Sequence, residues 1–156
     1  MEVEIQIDAG RKEPKAVIYA SEITEEVNEA VKKLSGQAAP FLPGIAVLGP
    51  AKMESTNEIV QLLEPSQIYH IYAANQKIFA VTAHGEFRLK MRLYELEEQL
   101  KENMFVRISN SELVNLRQAE QFDLSLSGTI CVKLKNREKV YVSRRYVKKI
   151  KAVLGM

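Results

Sequence analysis

Phe105 to Asn115 reads FVRISNSELVN. Val106 and Ile108 alternate with Arg107 and Ser109, the period-two signature of a strand with one apolar and one polar face. The strand runs into Asn110 and Ser111, whose short side chains bond nearby backbone and favour turns. Leu113 and Val114 form a second apolar pair, and Asn115 closes the stretch. Three hydrogen-bonding side chains, Ser109, Asn110 and Ser111, are thereby placed at a strand end. Asn can pair with a base edge and hydroxyls can reach phosphate oxygens. An ordinary strand-to-loop transition, with Asn and Ser serving the turn, has the same composition.

Downstream, Phe122, Leu124 and Leu126 alternate with Asp123 and Ser125, and Ser127-Gly128 reads as a hairpin turn. Ile130, Val132 and Leu134 alternate with Cys131, Lys133 and Lys135. After a turn at Asn136-Arg137, Val140 and Val142 face in while Lys139 and Tyr141 face out. Ser143 is the expected N-cap of a final helix whose Val147, Ile150 and Leu154 point inward. Arg144 and Arg145 occupy the first turn of that helix, where the macrodipole is positive and a cation costs about 0.3–1 kcal/mol. Stability alone does not choose them, and the same place is a ready anion site. Arg144, Lys148 and Lys151 fall along one line and Arg145 and Lys149 along the next. A solvated basic face is the plain alternative.

FVRISNSELVN and the VYVSRRYVKKI of Val140–Ile150, in this order and with a hairpin between them, resemble the LytTR family of bacterial DNA-binding domains, over about Ile59 to Leu154. The resemblance implies a mainly β fold: an elongated sandwich of short antiparallel strands with two short helices, whose loops rather than a recognition helix enter successive major grooves. It places Asn110 on a base-contacting Asn, Arg145 on a base-contacting Arg, and Ser111 and Ser143 on phosphate-contacting hydroxyl positions. Asn75, Gln76 and Lys77 fall on the other reading loop, where some members carry a His that this chain lacks. Ser109 stands where the family often has His or another polar residue. Arg107, Ser109, Arg144 and Lys148 complete the expected DNA-binding set. The resemblance further implies double-stranded DNA with paired direct or inverted repeats, a homodimer at least on DNA, and, for stand-alone members, control by a small membrane protein.

Upstream, Ile68–Ala73, Lys77–Thr82 and Glu86–Lys90 read as a meander of antiparallel strands separated by Ala74-Asn75-Gln76 and His84-Gly85. Leu89, Leu93, Leu96 and Leu100 share one face of a short helix. Gly36–Pro50 (GQAAPFLPGIAVLGP) carries three prolines and three glycines, a linker signal that sets the expected boundary between residues 1–50 and a DNA-binding domain at 52–154. The first part reads as a small α+β element. It has a strand over Val3–Ile7, a short strand over Ala16–Tyr19, and a helix capped by Ser21, with Ile23, Val27, Ala30, Val31 and Leu34 on one stripe and Gly36 at its end. It is too short for a phosphorylated receiver domain and is expected to dimerise or to bind a regulator.

Residues 1–87 carry 7 Lys and Arg against 12 Asp and Glu, net −5; residues 88–156 carry 15 against 8, net +7. A basic C-terminal half is the footprint of a phosphate-backbone partner. One cysteine, Cys131, excludes an intrachain disulfide, and with no signal peptide at the N-terminus and no long apolar run the expectation is a cytoplasmic protein. His70 and His84 lack acidic or Cys partners at ligand spacing, so no metal is expected, and no nucleophile or acid/base constellation points to an enzyme or a cofactor. Two functions remain: a sequence-specific DNA-binding transcriptional regulator, or a non-catalytic protein-interaction module with an incidental basic surface. Convergence of Arg107, Arg144, Arg145, Lys148 and the 75–77 loop on one face separates them.

Overall fold

The computed structural model describes residues 2, 7–10, 12, 15–35, 41–54, 59–125 and 127–156. Two compact units are present, residues 1–38 and 39–156.

In the first unit the described residues form α1 (Glu25–Ser35), with Glu25 and Glu26 in its positive first turn. The hydroxyl of Thr24, not Ser21, accepts from Val27 N at 3.3 Å, so the cap lies three residues later than expected. Val27 is buried but Leu34 is 64% exposed, so the apolar stripe stops short of the helix end. Residues 16–19 form no strand, and Val17 and Tyr19 are exposed. The strand expected over Val3–Ile7 lies, except for Ile7, outside the described residues, as does the helix end expected at Gly36.

The second unit begins earlier than the proline- and glycine-rich stretch suggested. Within that stretch Leu42–Leu48 forms strand β1, flanked by β2 (Met53–Glu54) and β3 (Val60–Leu63). The meander follows as β4 (Ile68–Ala74), β5 (Lys77–Thr82) and β6 (Gly85–Leu89). Helix α2 (Leu93–Gln99) leads to β7 (Phe105–Ser109) and β8 (Glu112–Asn115). These eight strands make one antiparallel sheet in the order β2-β1-β6-β5-β4-β8-β7, with β3 also on β1. The boundary expected at 50 therefore falls inside a sheet: Gly44, Ile45 and Ala46 pair with Leu89, Arg88 and Phe87. Gly44 is required there, because a Cβ would lie 2.9 Å from both Leu63 Cδ1 and Phe87 Cβ.

A second sheet, order β11-β10-β9, comprises β9 (Ala119–Asp123), β10 (Ile130–Leu134) and β11 (Lys139–Val142), and α3 (Arg144–Val153) closes the unit. Strand β9 ends at Asp123, before the expected Leu124 and Leu126; Leu126 lies outside the described residues.

Two cores follow from the period of β7 and β8. Phe105 and Leu113 join Leu42, Leu63, Ile71, Phe87, Leu93, Leu96 and Leu100 on the α2 side of the large sheet. Val106, Ile108 and Val114 join Ile130, Val132, Leu134, Val140, Val142 and Ile150 on the other. Adjacent strand residues point to opposite faces, so β7 and β8 are the wall between the layers. Truncating a fully buried Leu such as Leu96 or Leu113 to Ala would cost about 2–5 kcal/mol. Asn115, 1% exposed, ties this wall to the start of β4 and the turn before it: its Nδ2 donates to Ile68 O at 2.9 Å and to Pro65 O at 3.4 Å, and its Oδ1 accepts from Arg117 N at 3.0 Å.

Candidate nucleic-acid interface

Three turns meet at one end of the large sheet. Tyr72 pairs with Glu112, and Ala73 N donates to Ser111 O at 2.8 Å, so the β4–β5 turn at Asn75-Gln76 lies beside the β7–β8 turn at Asn110-Ser111. Ser143 N donates to Ile108 O at 2.8 Å and seats the head of α3 against the same loop.

Asn75 and Gln76 have φ of 50° and 61°, in an exposed two-residue turn whose flanking pair is Ala74 with Lys77. Left-handed residues at both central positions match the twist of a hairpin, and Asn-Gly is the favoured sequence. Here a glutamine occupies the position that suits glycine, at a backbone cost of about 1–2 kcal/mol.

The period of β7 puts Arg107 on the α2 side, where its Nη1 donates to Glu97 Oε2 at 3.0 Å. Its Nε donates to Ser109 O at 2.8 Å and its Nη2 to Asn110 O at 2.7 Å. Glu97 also pairs with Lys149 of α3 at 3.5 Å. The Arg107 guanidinium is thus directed at protein acceptors, and the residue braces the loop. Within the loop Ser111 N donates to Ser109 Oγ at 3.2 Å. Tyr146 Oη, from α3, donates to Asn110 Oδ1 at 3.2 Å.

Ser143 sits at the cap position of α3 with extended backbone (φ −66°, ψ 151°), but its hydroxyl makes no capping bond, contrary to the sequence expectation. Arg144 reaches over the β9–β10 turn: a Cβ on Gly128, whose φ is 76°, would lie 3.0 Å from Arg144 Nε. Arg145 and Lys148 are exposed, and the first turn of α3 holds no acidic residue.

Behind the loop, His70 lies between two carboxylates. Its Nε2 hydrogen-bonds Glu138 Oε2 at 2.7 Å, and its Nδ1 is 2.7 Å from Glu112 Oε1. Burial would lower the imidazole pKa, but the paired carboxylates of Glu112 and Glu138 outweigh it, and the net shift is upward from 6.5. The His70 ring thus joins the strand that follows the 109–111 loop to the β10–β11 turn.

Sequence reasoning missed Glu97, Tyr146 and the His70 cluster. Glu97 is one of a run of helical glutamates and His70 is isolated in sequence, so neither carries a local signal. Tyr146 had one: an aromatic directly after the Arg144-Arg145 pair that opens the helix.

Stacked antiparallel sheets that present a fixed polar loop beside a short basic helix define a loop-presenting β module. A solved LytTr DNA-binding domain from Bacillus cereus shares the fold, with a TM-score of 0.63 and 20% identity over 74% of this chain and 98% of that one. The family description LytTr DNA-binding domain matches residues 58–155, and the chain belongs to the LytTR family. It is also 39% identical, over 97 residues, to uncharacterized HTH-type transcriptional regulators of Staphylococcus aureus strains NCTC 8325 / PS 47 and COL, across 62% of this chain and 65% of each relative. The match thus spans just under two thirds of the length of these curated relatives. Their name mentions a helix-turn-helix; here α2 and α3 are separated by β7 to β11.

Proposed function

We propose that this protein is a bacterial transcriptional regulator that binds double-stranded DNA in a sequence-specific manner. The loop at Ser109–Ser111 and the head of α3 enter the major groove, where Asn110 and Arg145 read base edges. Ser111 and Ser143 contact phosphates; the Ser143 hydroxyl, with no capping bond, suits that task. Asn75, Gln76 and Lys77 form a second reading turn, and Arg144 and Lys148 add backbone charge. Arg107 serves by holding the loop. The observation that carries this reading is the meeting of three turns, from separate parts of the sequence, at one end of one sheet. The protein acts in the cytoplasm as a homodimer on paired repeats, through the unit that begins at residue 39, with residues 1–38 available for dimerisation or for a membrane-bound regulator. No helix among the described residues is long and apolar enough to cross a membrane.

Selection of bound duplexes from a random-sequence pool at near-physiological salt tests this. Enrichment of half-sites about one helical turn apart supports dimeric specific binding. Arg145→Ala should relax one base position by roughly 1–3 kcal/mol. Binding without enrichment refutes base reading. Absence of binding at low salt favours the interaction module, for which the exposed Leu48 of β1, Met53 of β2 and Val60 of β3 would be the natural surface.

A further inference from the structure

We infer that Tyr146 is a specificity-determining residue, acting by fixing the orientation of the Asn110 carboxamide; the inference rests on the proposed DNA reading. Asn110 sits in an exposed turn, and a side-chain amide free to rotate presents a donor and an acceptor interchangeably. Such a group discriminates poorly, because base edges in the major groove differ in their order of donors and acceptors. Here the loop leaves little freedom. Arg107 holds the carbonyls of Ser109 and Asn110, at 2.8 and 2.7 Å, so the backbone that carries the amide is set. The phenol of Tyr146 donates to Asn110 Oδ1 at 3.2 Å, so the amide itself is set, and among the described residues its Nδ2 has no hydrogen-bond acceptor. Tyr146 is fixed in turn, because its ring packs with Val147 and Leu154 against the second core and its amide bonds Ser143 O at 2.9 Å. Tyr146 lies one residue from Arg145. The two side chains proposed to read bases are therefore locked to one another through α3, and a correct geometry at one presents the other.

The test compares wild type, Tyr146→Phe, Asn110→Ala and the double variant by selection from a random duplex pool, with affinities on the selected site and folding verified by circular dichroism. Tyr146→Phe keeps the ring and its packing and removes only the hydroxyl. It should bind the selected site with nearly unchanged salt dependence, since no phosphate contact is lost. Discrimination should narrow at one base position, the one that Asn110→Ala also relaxes, by roughly fivefold, the value of one hydrogen bond. In the Asn110→Ala background the same substitution should change nothing further. Unchanged preference in Tyr146→Phe, or an equal effect with and without Asn110, overturns the inference while leaving the DNA reading intact. A wild-type protein that enriches no sequence overturns both.

Discussion

Replacing His70 by glutamine should reveal an electrostatic clasp between the two sheets, and its size follows from exposure. The His70 side chain is 10% exposed, that of Glu112 21% and that of Glu138 49%. The contact to half-exposed Glu138 is screened and worth about 0.5 kcal/mol. The contact to Glu112 is mostly desolvated, and a charge-assisted interaction of this kind contributes roughly 1.5–2.5 kcal/mol. Glutamine fills similar space without charge, so a loss of about 2 kcal/mol is expected in acid. The pH dependence carries the sharper signature. Because the folded-state pKa stands above the ordinary 6.5, the folded protein holds the proton more tightly than the unfolded chain. The contribution is complete below about pH 6.5 and is lost as pH rises through the folded-state value. Urea unfolding of both proteins between about pH 5.5 and pH 9 measures this, read as the difference between wild type and variant. That difference should shrink toward zero on the alkaline side. A difference that stays constant across the range, or grows with pH, would show that His70 acts through packing alone, with Tyr72, stacked at 5.8 Å, as its partner.

Arg107→Lys keeps the charge but cannot span two carbonyls and Glu97 at once. DNA affinity should fall several-fold with an unchanged salt slope, whereas a slope reduced by about 0.9 would mean that Arg107 neutralises a phosphate. Gln76→Gly relieves a left-handed glutamine and should raise stability by about 0.5–1 kcal/mol while weakening DNA binding. Thermal melts and titrations on one preparation separate the two effects, and a destabilised variant would contradict the strain. Gly44→Ala should cost about 1–3 kcal/mol through overpacking against Leu63 and Phe87, seen as a lower urea midpoint at constant slope.

Most of the second unit was legible because its strands are short, alternating and punctuated by turn residues: β4 to β6, β10 and β11 fall where periodicity put them. β1 was hidden by its own composition. Pro43 and Gly44 signal a loop, yet Pro43 precedes the stretch paired with β6 and Gly44 is demanded by a close approach, while Leu42, Ile45 and Val47 supply the burial. Ala16–Tyr19 erred the other way: a short apolar run was read as a strand, whereas Val17 and Tyr19 stand exposed in irregular backbone. The loop at 109–111 and the head of α3 were visible as motifs, but their mutual geometry was not. Arg107 was read as a DNA contact because an Arg beside a polar turn has no local sign of its acceptors. Only the parity of β7, with Phe105 and Arg107 on one side, hints that it turns toward α2.

Leu113 and Val114 are neighbours in the chain, yet each serves as flooring for a different core. Neither layer can loosen without disturbing the other, so the unit should melt in one transition, with slow amide exchange at β8 marking its last-opening segment. Asn110 stands three residues before this shared plank. The surface proposed to touch DNA is therefore bolted to the stiffest part of the molecule, and a protein built this way would select its site by making the duplex conform to it.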